Sequence, residues 1–494
     1  MNLDVLLKDV ACKKVNGSND IDIKSLSTNS KKAQDGSIFV AVEGFRYKGH
    51  SFAKEAFSNG SIAIVTQEDI KVPSNKTLIL VENAREVLPI LCRNFYQDPS
   101  KSLNLIGITG TNGKTTTCYL IDSILRSAGM KTSIITTVES FLGKKRFFFD
   151  CTTPESLDLN KFFSESRQSR VDAACMEVSS HSIDLHRVDY LDFDYFVFTN
   201  LSQDHLDYHK NMAGYFRVKN KLFLKKYRNI YSGRKAVINI DDSYGKKIFK
   251  STDLRKISYS LKSARADLWA SNVKKSISGI KMNINASGGK KIKIYSPLCG
   301  CFNLYNILAA VGVCIDMGID TSSIKDGVGS TTRVEGRFEK IDTGRGFIAV
   351  VDYAHTPDGL ENVLRTVKEV IKTGGKLISV FGCGGDRDKG KREIMGSISG
   401  KLADFTVITS DNPRTEAPES IINMIEEGFI KSGGKEYVRE TDRKKAIFKA
   451  LDMAGRGDVV LIAGKGHEKY QEFENYVKKF SDRKVVKEWA DQQK

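Results

Sequence analysis

Holding a polyphosphate takes few groups: backbone N–H donors converging at a helix N-terminus, an ammonium to spread charge, and a hydroxyl for a divalent cation. The stretch GITGTNGKTTT, residues 107–117, offers them in order, with Gly110, Thr111, Asn112 and Gly113 as the turn and Lys114, Thr115 and Thr116 after it. A strict P-loop has glycine where this chain has Ile108, so the physical requirement is met while the letter pattern is not. The plain alternative is an ordinary strand-turn-helix connection.

Two further segments carry titratable groups. MEVSSHSIDLHRV follows the apolar VDAAC and places Glu177 at the end of that run; FTNLSQDHLDYH ends the next run and supplies His205. A carboxylate and an imidazole at neighbouring strand ends beside a phosphate cradle can reach a second divalent cation. A salt-linked surface turn is the other reading of the same residues. All histidines except His50 fall in polar, strand-terminal segments, where ligands meet open α/β sheets. YFRVKNKLF reads as an amphipathic helix, with Lys219 and Lys221 directed to solvent. FGCGGDRDKGKR has glycines at Gly382, Gly384 and Gly385, which do not match G-x-G-x-x-G, so a nicotinamide oxidoreductase is a poor second reading.

These residues need a scaffold, and the pattern predicts one. Before residue 98, short β-like runs (SIFVAV, SIAIV, KTLILV) alternate with helical patterns, and the segment around Pro99 reads as a linker. From Leu103, LNLIGIT, TSIITTV, VDAACMEV, FDYFVFTN and KAVINI alternate with helices, as in a mostly parallel sheet covered on both faces. Short strand-like runs follow between 256 and 298, then the helical NLYNILAAVGVCIDMG. Strand and helix alternate again after TTRVEGRFEK, in GFIAVVDYA, GKLISVFGCGG, ADFTVITS and GDVVLIAGKG. The expectation is an α/β protein of three domains, at 1–98, 99–334 and 335–494; length alone suggests roughly three.

Composition narrows the class. The 494 residues are 40% hydrophobic and 28% charged, ordinary for a folded soluble protein. No apolar run approaches the roughly 18 residues that span a bilayer, and the N-terminus has no basic n-region, so no membrane insertion and a cytoplasmic address are expected. Nine cysteines without a paired C-x-x-C argue for reduced, mostly buried thiols and against zinc. The net charge of +17 is scattered, as in KKAQDG and VKKFSDRK, without an aromatic-basic platform; it suits polyanionic small substrates and not a nucleic acid.

Taken together, GITGTNGKTTT, TTPE, MEVSSHS, NLSQDHLDYH, VINIDD, GCFNLYN, GRFE, VDYAHTPD, GCGGDRDKGKR, DNPR and GKGHEKYQ stand in the order found in the Mur ligases, and nearly the whole chain resembles that family. The resemblance implies a small α/β UDP-sugar domain, a central P-loop ATPase domain with a parallel sheet, and a C-terminal Rossmann-like domain for the incoming amino acid. It also implies the reaction: ATP phosphorylates the D-glutamate γ-carboxylate of UDP-N-acetylmuramoyl-L-alanyl-D-glutamate, and the amine of a diamino acid attacks the acyl phosphate. Phosphate leaves readily where oxide does not.

By the same resemblance Thr115 binds one Mg2+, while Glu177, His205 and a carbamylated Lys219 bind another. That replaces the solvent-facing reading of Lys219. Lys114 serves phosphate; Asn303, Arg337, Asp352 and His355 match nucleotide-contacting positions. Ser30, Thr152, Thr153, Ser179 and Arg187 match those that contact the UDP-dipeptide. DNPR, Asp411, Asn412, Pro413 and Arg414, is carried by the members that add meso-diaminopimelate, with Arg387, Gly464 and Glu468 at the other matching positions. A monomer is expected. Departures are NSK (Asn29 to Lys31) for the usual Asp-Ser-Arg, Leu185 where some members have Gln, and Glu335 where Pro is common; they bear on uridine and peptide contacts. The alternatives are a lysine-adding ligase, a folylpolyglutamate-type ligase, which lacks the UDP-sugar domain, and a non-catalytic scaffold.

Overall fold

The computed structural model describes residues 1–44, 47–227, 230, 234–371 and 373–493. Its centre is strand Asn104–Thr109, apolar along its length because both faces are covered. Ile106 and Ile108 pack on one side against helices Lys114–Ser127 and Cys301–Asp316. Leu105 packs on the other, with Ala174, Met176, Phe196 and Phe198 of the flanking strands and helices Ser156–Gln168 and Met212–Asn220. This is the two-residue alternation of a sheet with a helical layer on each face.

Eleven strands form this sheet. Ala173–Glu177 lies beside Asn104–Thr109 on one side and Tyr195–Phe198 on the other, both parallel to it; Thr132–Ile135 is beyond the first, Lys235–Asn239 and Arg255–Ser260 beyond the second. The chain therefore leaves the central strand in both directions across the sheet, and the crevice at its carboxyl end is a topological switch point, where open α/β sheets bind ligands. The register sets Ile108 level with Glu177 and Thr109 level with Phe198. The edges are antiparallel: Ser140–Leu142 and Lys145–Phe147 on one side, Gly279–Ala286 and Lys291–Ser296 on the other.

A five-stranded sheet precedes this one, with Ser25–Ser27, Ser37–Val40, Ser61–Thr66 and Thr77–Val81 parallel and Cys12–Asn16 antiparallel. A six-stranded sheet follows, in which Ile348–Asp352, Val459–Ala463, Leu377–Phe381, Phe405–Thr409 and Tyr437–Glu440 are parallel and Glu339–Asp342 is antiparallel. Helices Gly390–Leu402 and Pro418–Lys431 cross on that last sheet through two glycines. A Cβ on Gly428 would stand 1.9 Å from Glu393 O, and one on Gly396 1.9 Å from Ile425 O. Because helix backbones cannot yield like a flexible side chain, Gly428→Ala is expected to destabilise the C-terminal unit by about 1–3 kcal/mol or more, read from its urea midpoint.

The segment at Pro99 connects helix Ala84–Phe95 to the central sheet as an ordered 3-10 turn, Pro99–Ser102, with Pro99 and Ser100 buried and Ser100 Oγ accepting from Asp192 N at 3.0 Å. The structure corrects one reading. Lys219 is buried, 1% exposed, since Tyr215, Val218 and Lys219 form the inward face of their helix. Lys221 pairs with Asp184 at 3.6 Å. Six of the nine cysteines are buried and all are free.

Candidate active site

The turn after Asn104–Thr109 is held before any ligand arrives. Asn112 N donates to Asn200 Oδ1 at 3.0 Å, and Asn112 O accepts from Thr199 Oγ1 at 2.7 Å and Asn200 Nδ2 at 3.1 Å. Thr111 N donates to Asn200 O at 2.9 Å. Gly110 has φ +142°, and a Cβ there would lie 2.0 Å from Thr199 Oγ1, so only glycine lets the turn close on the next strand. Gly113 then starts the helix, with Thr115 and Thr116 buried in its first turn. Lys114 donates to Gly110 O at 3.1 Å and Thr111 O at 2.8 Å. Desolvation lowers its pKa, against the opposing pull of Glu177 and Asp204.

Thr115 Oγ1 donates to Glu177 Oε1 at 2.8 Å. The same carboxylate accepts from Thr137 N at 2.9 Å and Thr137 Oγ1 at 3.2 Å. Thr137 Oγ1 also lies within hydrogen-bond distance of Thr152 Oγ1, at 3.1 Å, and Thr153 Oγ1 donates to Glu177 O at 2.9 Å. Ser179 N donates to Thr153 Oγ1 at 3.1 Å, and Arg187 donates to Thr153 O at 3.1 Å. Four of the five residues matched to the UDP-dipeptide are thus connected to Glu177 through short hydrogen bonds. Ser30 is the exception: it begins the 3-10 turn Ser30–Lys32 that follows strand Ser25–Ser27 of the N-terminal sheet, its hydroxyl bonded to Glu55.

Lys219 reaches the phosphate turn from below, donating to Gly110 O at 3.0 Å and Thr109 Oγ1 at 3.3 Å, 4.9 Å from the Tyr215 ring. Burial, and next the Lys114 charge, push its pKa well below the lysine range, toward the free amine. Tyr215 also meets the His205 ring, at 6.1 Å. Burial, opposed by Asp204 and reinforced by His181 and Lys219, draws His205 down to about 3. It is therefore a neutral imidazole at physiological pH, with a lone pair to give.

The Thr115 hydroxyl and the Glu177 carboxylate, 2.8 Å apart, are oxygen donors that fit a hard divalent cation such as Mg2+, and His205 adds a neutral nitrogen donor. Among the described residues no group of three or more His, Cys, Asp or Glu is placed to hold a metal by itself. Mg2+ ordinarily takes one or two protein ligands and completes its shell with water and substrate phosphate.

The third sheet contributes the rest. Arg337 donates to Thr115 Oγ1 at 3.1 Å and lies 4.4 Å over the Tyr353 ring. Asp352 is buried and accepts from Phe338 N at 2.5 Å and Ala354 N at 2.7 Å; burial raises its pKa against Arg337. His355 stands 3.9 Å from Asp204. Asn303 donates to Cys299 O at 2.6 Å, and with Arg337, Phe338 and Lys340 it lines a cavity of about 180 Å3. Across the same boundary Asp358 Oδ2 accepts from Asn112 Nδ2 at 2.8 Å and Ser202 Oγ at 3.1 Å.

Farther out, the DNPR loop faces the segment that holds Gly464 and Glu468. Gly464 has φ +115°, and a Cβ would lie 2.6 Å from Asp411 Oδ2. Burial alone would raise the Asp411 pKa, but Lys465 and then Arg443 outweigh it and hold it low. Lys465 donates to Asn412 Oδ1 and Glu468 Oε2, both at 2.8 Å, and Asn412 Nδ2 donates to Glu468 Oε2 at 3.0 Å. Pro413 O packs on Gly385. Arg414 Nε donates to Glu472 Oε2 at 2.8 Å and Nη1 to Gly385 O at 2.8 Å. Arg387 is exposed on the adjacent loop.

Sequence reasoning missed Thr137, Asp358, Lys465 and Glu472. Lys465 stands inside GKGHE and Asp358 inside TPD, so proximity to quoted motifs was the available signal. Thr137 was read as strand, and nothing marked Glu472.

The models named Mur ligase family, catalytic domain; Mur ligase middle domain; and Mur ligase, glutamate ligase domain match residues 22–96, 108–314 and 336–466. A protein of Caldanaerobacter subterraneus subsp. tengcongensis, named UDP-N-acetylmuramoyl-L-alanyl-D-glutamate--2,6-diaminopimelate ligase, is 43% identical over 99% of this chain and 98% of its own. A Syntrophomonas wolfei protein of the same name is 41% identical over 99% of both chains. A solved structure with that enzyme name superposes with a TM-score of 0.67 at 33% identity, covering 95% of each chain. MurF from Acinetobacter baumannii shares the fold, with a TM-score of 0.67 at 19% identity over 94% of this chain and 95% of its own. On its three matched segments and its full-length likeness to these relatives, the chain belongs to the Mur ligase family.

Proposed function

We propose that this chain is an ATP-dependent ligase that joins meso-diaminopimelate to UDP-N-acetylmuramoyl-L-alanyl-D-glutamate, an amide-forming step in building peptidoglycan precursors. The observation that carries the reading is the meeting of the phosphate turn, Glu177 and Lys219 in one crevice, with Thr115 Oγ1 2.8 Å from Glu177 Oε1. Domain limits at 1–98, 99–334 and 335–494 assign one substrate to each: the UDP-sugar near Ser30, ATP on the central turn, and the amino acid on the DNPR loop. The protein acts as a cytoplasmic monomer; among the described residues no helix is long and apolar enough to cross a membrane.

Chemistry runs in two steps. A γ-carboxylate oxygen of the dipeptide takes the terminal phosphoryl group of ATP and ADP leaves. The amine then attacks the acyl carbon, and inorganic phosphate departs as the amide forms. The Gly110–Gly113 turn, its Thr111 and Asn112 N–H groups held by Asn200, sets the N-terminus of helix Lys114–Ser127 with Thr115 and Thr116 toward the phosphates; Lys114 leaves its carbonyl partners for their charge, and Arg337 approaches from the third domain. Thr152, Thr153, Ser179 and Arg187 hold the peptide beside Glu177. Asn303, Asp352 and His355 orient the nucleotide. Lys219 as free amine adds to CO2, losing a proton, and becomes an anionic carbamate. Thr115 would hold one Mg2+, and Glu177, His205 and that carbamate a second; the ions would supply charge neutralisation during phosphoryl transfer.

Lysine and meso-diaminopimelate differ by one terminal carboxylate. Arg414 can meet that group in a two-point pairing, while Glu468, with Asn412 and Gly464 beside it, receives the distal ammonium and Arg387 adds charge at the rim. Lysine would leave the N–H groups of Arg414 that Glu472 and Gly385 do not take without a carboxylate, which gives discrimination on the order of a thousandfold or more. The test is ADP release with the UDP-dipeptide and a panel of diamino acids. Wild type should prefer meso-diaminopimelate in kcat/KM, and Arg414→Ala should lose that preference selectively. Comparable kcat/KM for lysine in wild type would refute the assignment.

A further inference from the structure

We infer that Glu472 is a positioning residue that sets the approach of Arg414, and through it the selection of a diamino acid carrying a second carboxylate. This rests on the reading of Arg414 as the partner of that carboxylate.

Glu472 ends strand Tyr470–Glu472, which pairs antiparallel with Val477–Lys479 in a two-stranded hairpin. From there it grips the DNPR loop at three points. Its N–H donates to Asn412 Oδ1 at 3.0 Å, its carbonyl accepts from Arg414 N at 3.1 Å, and its carboxylate accepts from Arg414 Nε at 2.8 Å. Arg414 itself has φ +55°, a conformation that non-glycine residues adopt at a cost and keep only when their surroundings demand it.

The consequence lies in which N–H groups stay available. A guanidinium has five, and it can fork onto a carboxylate side-on, through Nε and one Nη, or end-on, through both Nη atoms. Glu472 takes Nε–H and Gly385 O takes one Nη1–H, so a two-point pairing with a substrate carboxylate must run across Nη1 and Nη2. Gly384 lies close against Nη1, where a Cβ would stand only 3.2 Å away, so a glycine there avoids crowding that nitrogen. Glu472 pays an electrostatic penalty, since it places a second carboxylate near the one to be bound. Its effect on binding is therefore orientational: it removes the rotamer freedom that Arg414 would otherwise lose on binding.

The test uses the full-length enzyme, with wild type, Glu472→Ala and Glu472→Gln. The side chain is 41% exposed and two of its three bonds are backbone, so the alanine variant keeps the hairpin. Glu472→Ala should raise KM for meso-diaminopimelate about tenfold, leave kcat within about twofold and leave KM for ATP and kcat/KM for lysine unchanged. Glu472→Gln, which keeps an oxygen acceptor for Nε–H, should recover most of the loss. Three results overturn the inference: tighter diaminopimelate binding in Glu472→Ala, which would mean repulsion dominates; an unchanged preference; or equal losses toward both amino acids and ATP, which would mean a general structural role. If wild type does not prefer meso-diaminopimelate, the proposed function fails first and this inference falls with it.

Discussion

Alanine at Lys114 is expected to reduce kcat by about a thousandfold or more while the protein stays folded. The Lys114 ammonium touches little besides its own turn. Its two partners are carbonyls of its own turn, Gly110 O and Thr111 O, and neither belongs to a hydrophobic core. Gly110 O keeps a donor in the variant, because Lys219 bonds the same oxygen at 3.0 Å. The turn is held independently by Thr199 and Asn200. Loss of Lys114 therefore removes charge from the phosphate site and little else, so the thermal midpoint should move by no more than about 2 °C. ADP release within tenfold of wild type, from a variant with native circular dichroism, would contradict the role.

Lys219→Ala is expected to fall as far, for a different reason. Here the side chain is sealed under the turn, its amine driven toward the neutral form by burial and by Lys114. A neutral amine is the species that adds to CO2, and the carbamate would place anionic oxygens where the lysine has none. Removing the side chain should leave a small space beside Tyr215 and Gly110 that acetate or formate can enter, restoring part of the lost turnover at tens of millimolar. Wild-type turnover should also drop when bicarbonate and CO2 are stripped from the buffer, and isotope-labelled CO2 should be retained on the wild-type protein but not on the variant. Indifference to both carboxylates and bicarbonate would count against a carbamate.

The parts of this fold legible in sequence are those whose signal is local. Asn104–Thr109, Ala173–Glu177 and Tyr195–Phe198 are buried on both faces, so their apolar runs declared them strands, and a glycine-rich turn after the first marked the crevice. Lys219 shows the limit. Its neighbours in YFRVKNKLF are as consistent with a wet face as with a buried one, and only the packing of Tyr215 under the turn decides which way residue 219 points. Strand Tyr437–Glu440 escaped because it sits at a sheet edge with half-exposed residues, and Glu339–Asp342 because its few residues follow a turn. Thr137 and Glu472 act through contacts made across 40 and 58 residues of chain, a separation no spacing rule covers.

Asp358 spans farther still. Its carboxylate holds the side chain of Asn112, 246 residues earlier, and the hydroxyl of Ser202. The backbone of the phosphate turn is secured by its own sheet, so this bond reports on the third domain without being needed to shape the turn. Swinging that domain away must break both bonds and return a carboxylate, an amide and a hydroxyl to water. Any ligand that touches both sides, as a nucleotide between the turn and Arg337 would, then shares the free energy of that closure. By reciprocity, whatever holds the domain shut tightens the nucleotide by the same factor.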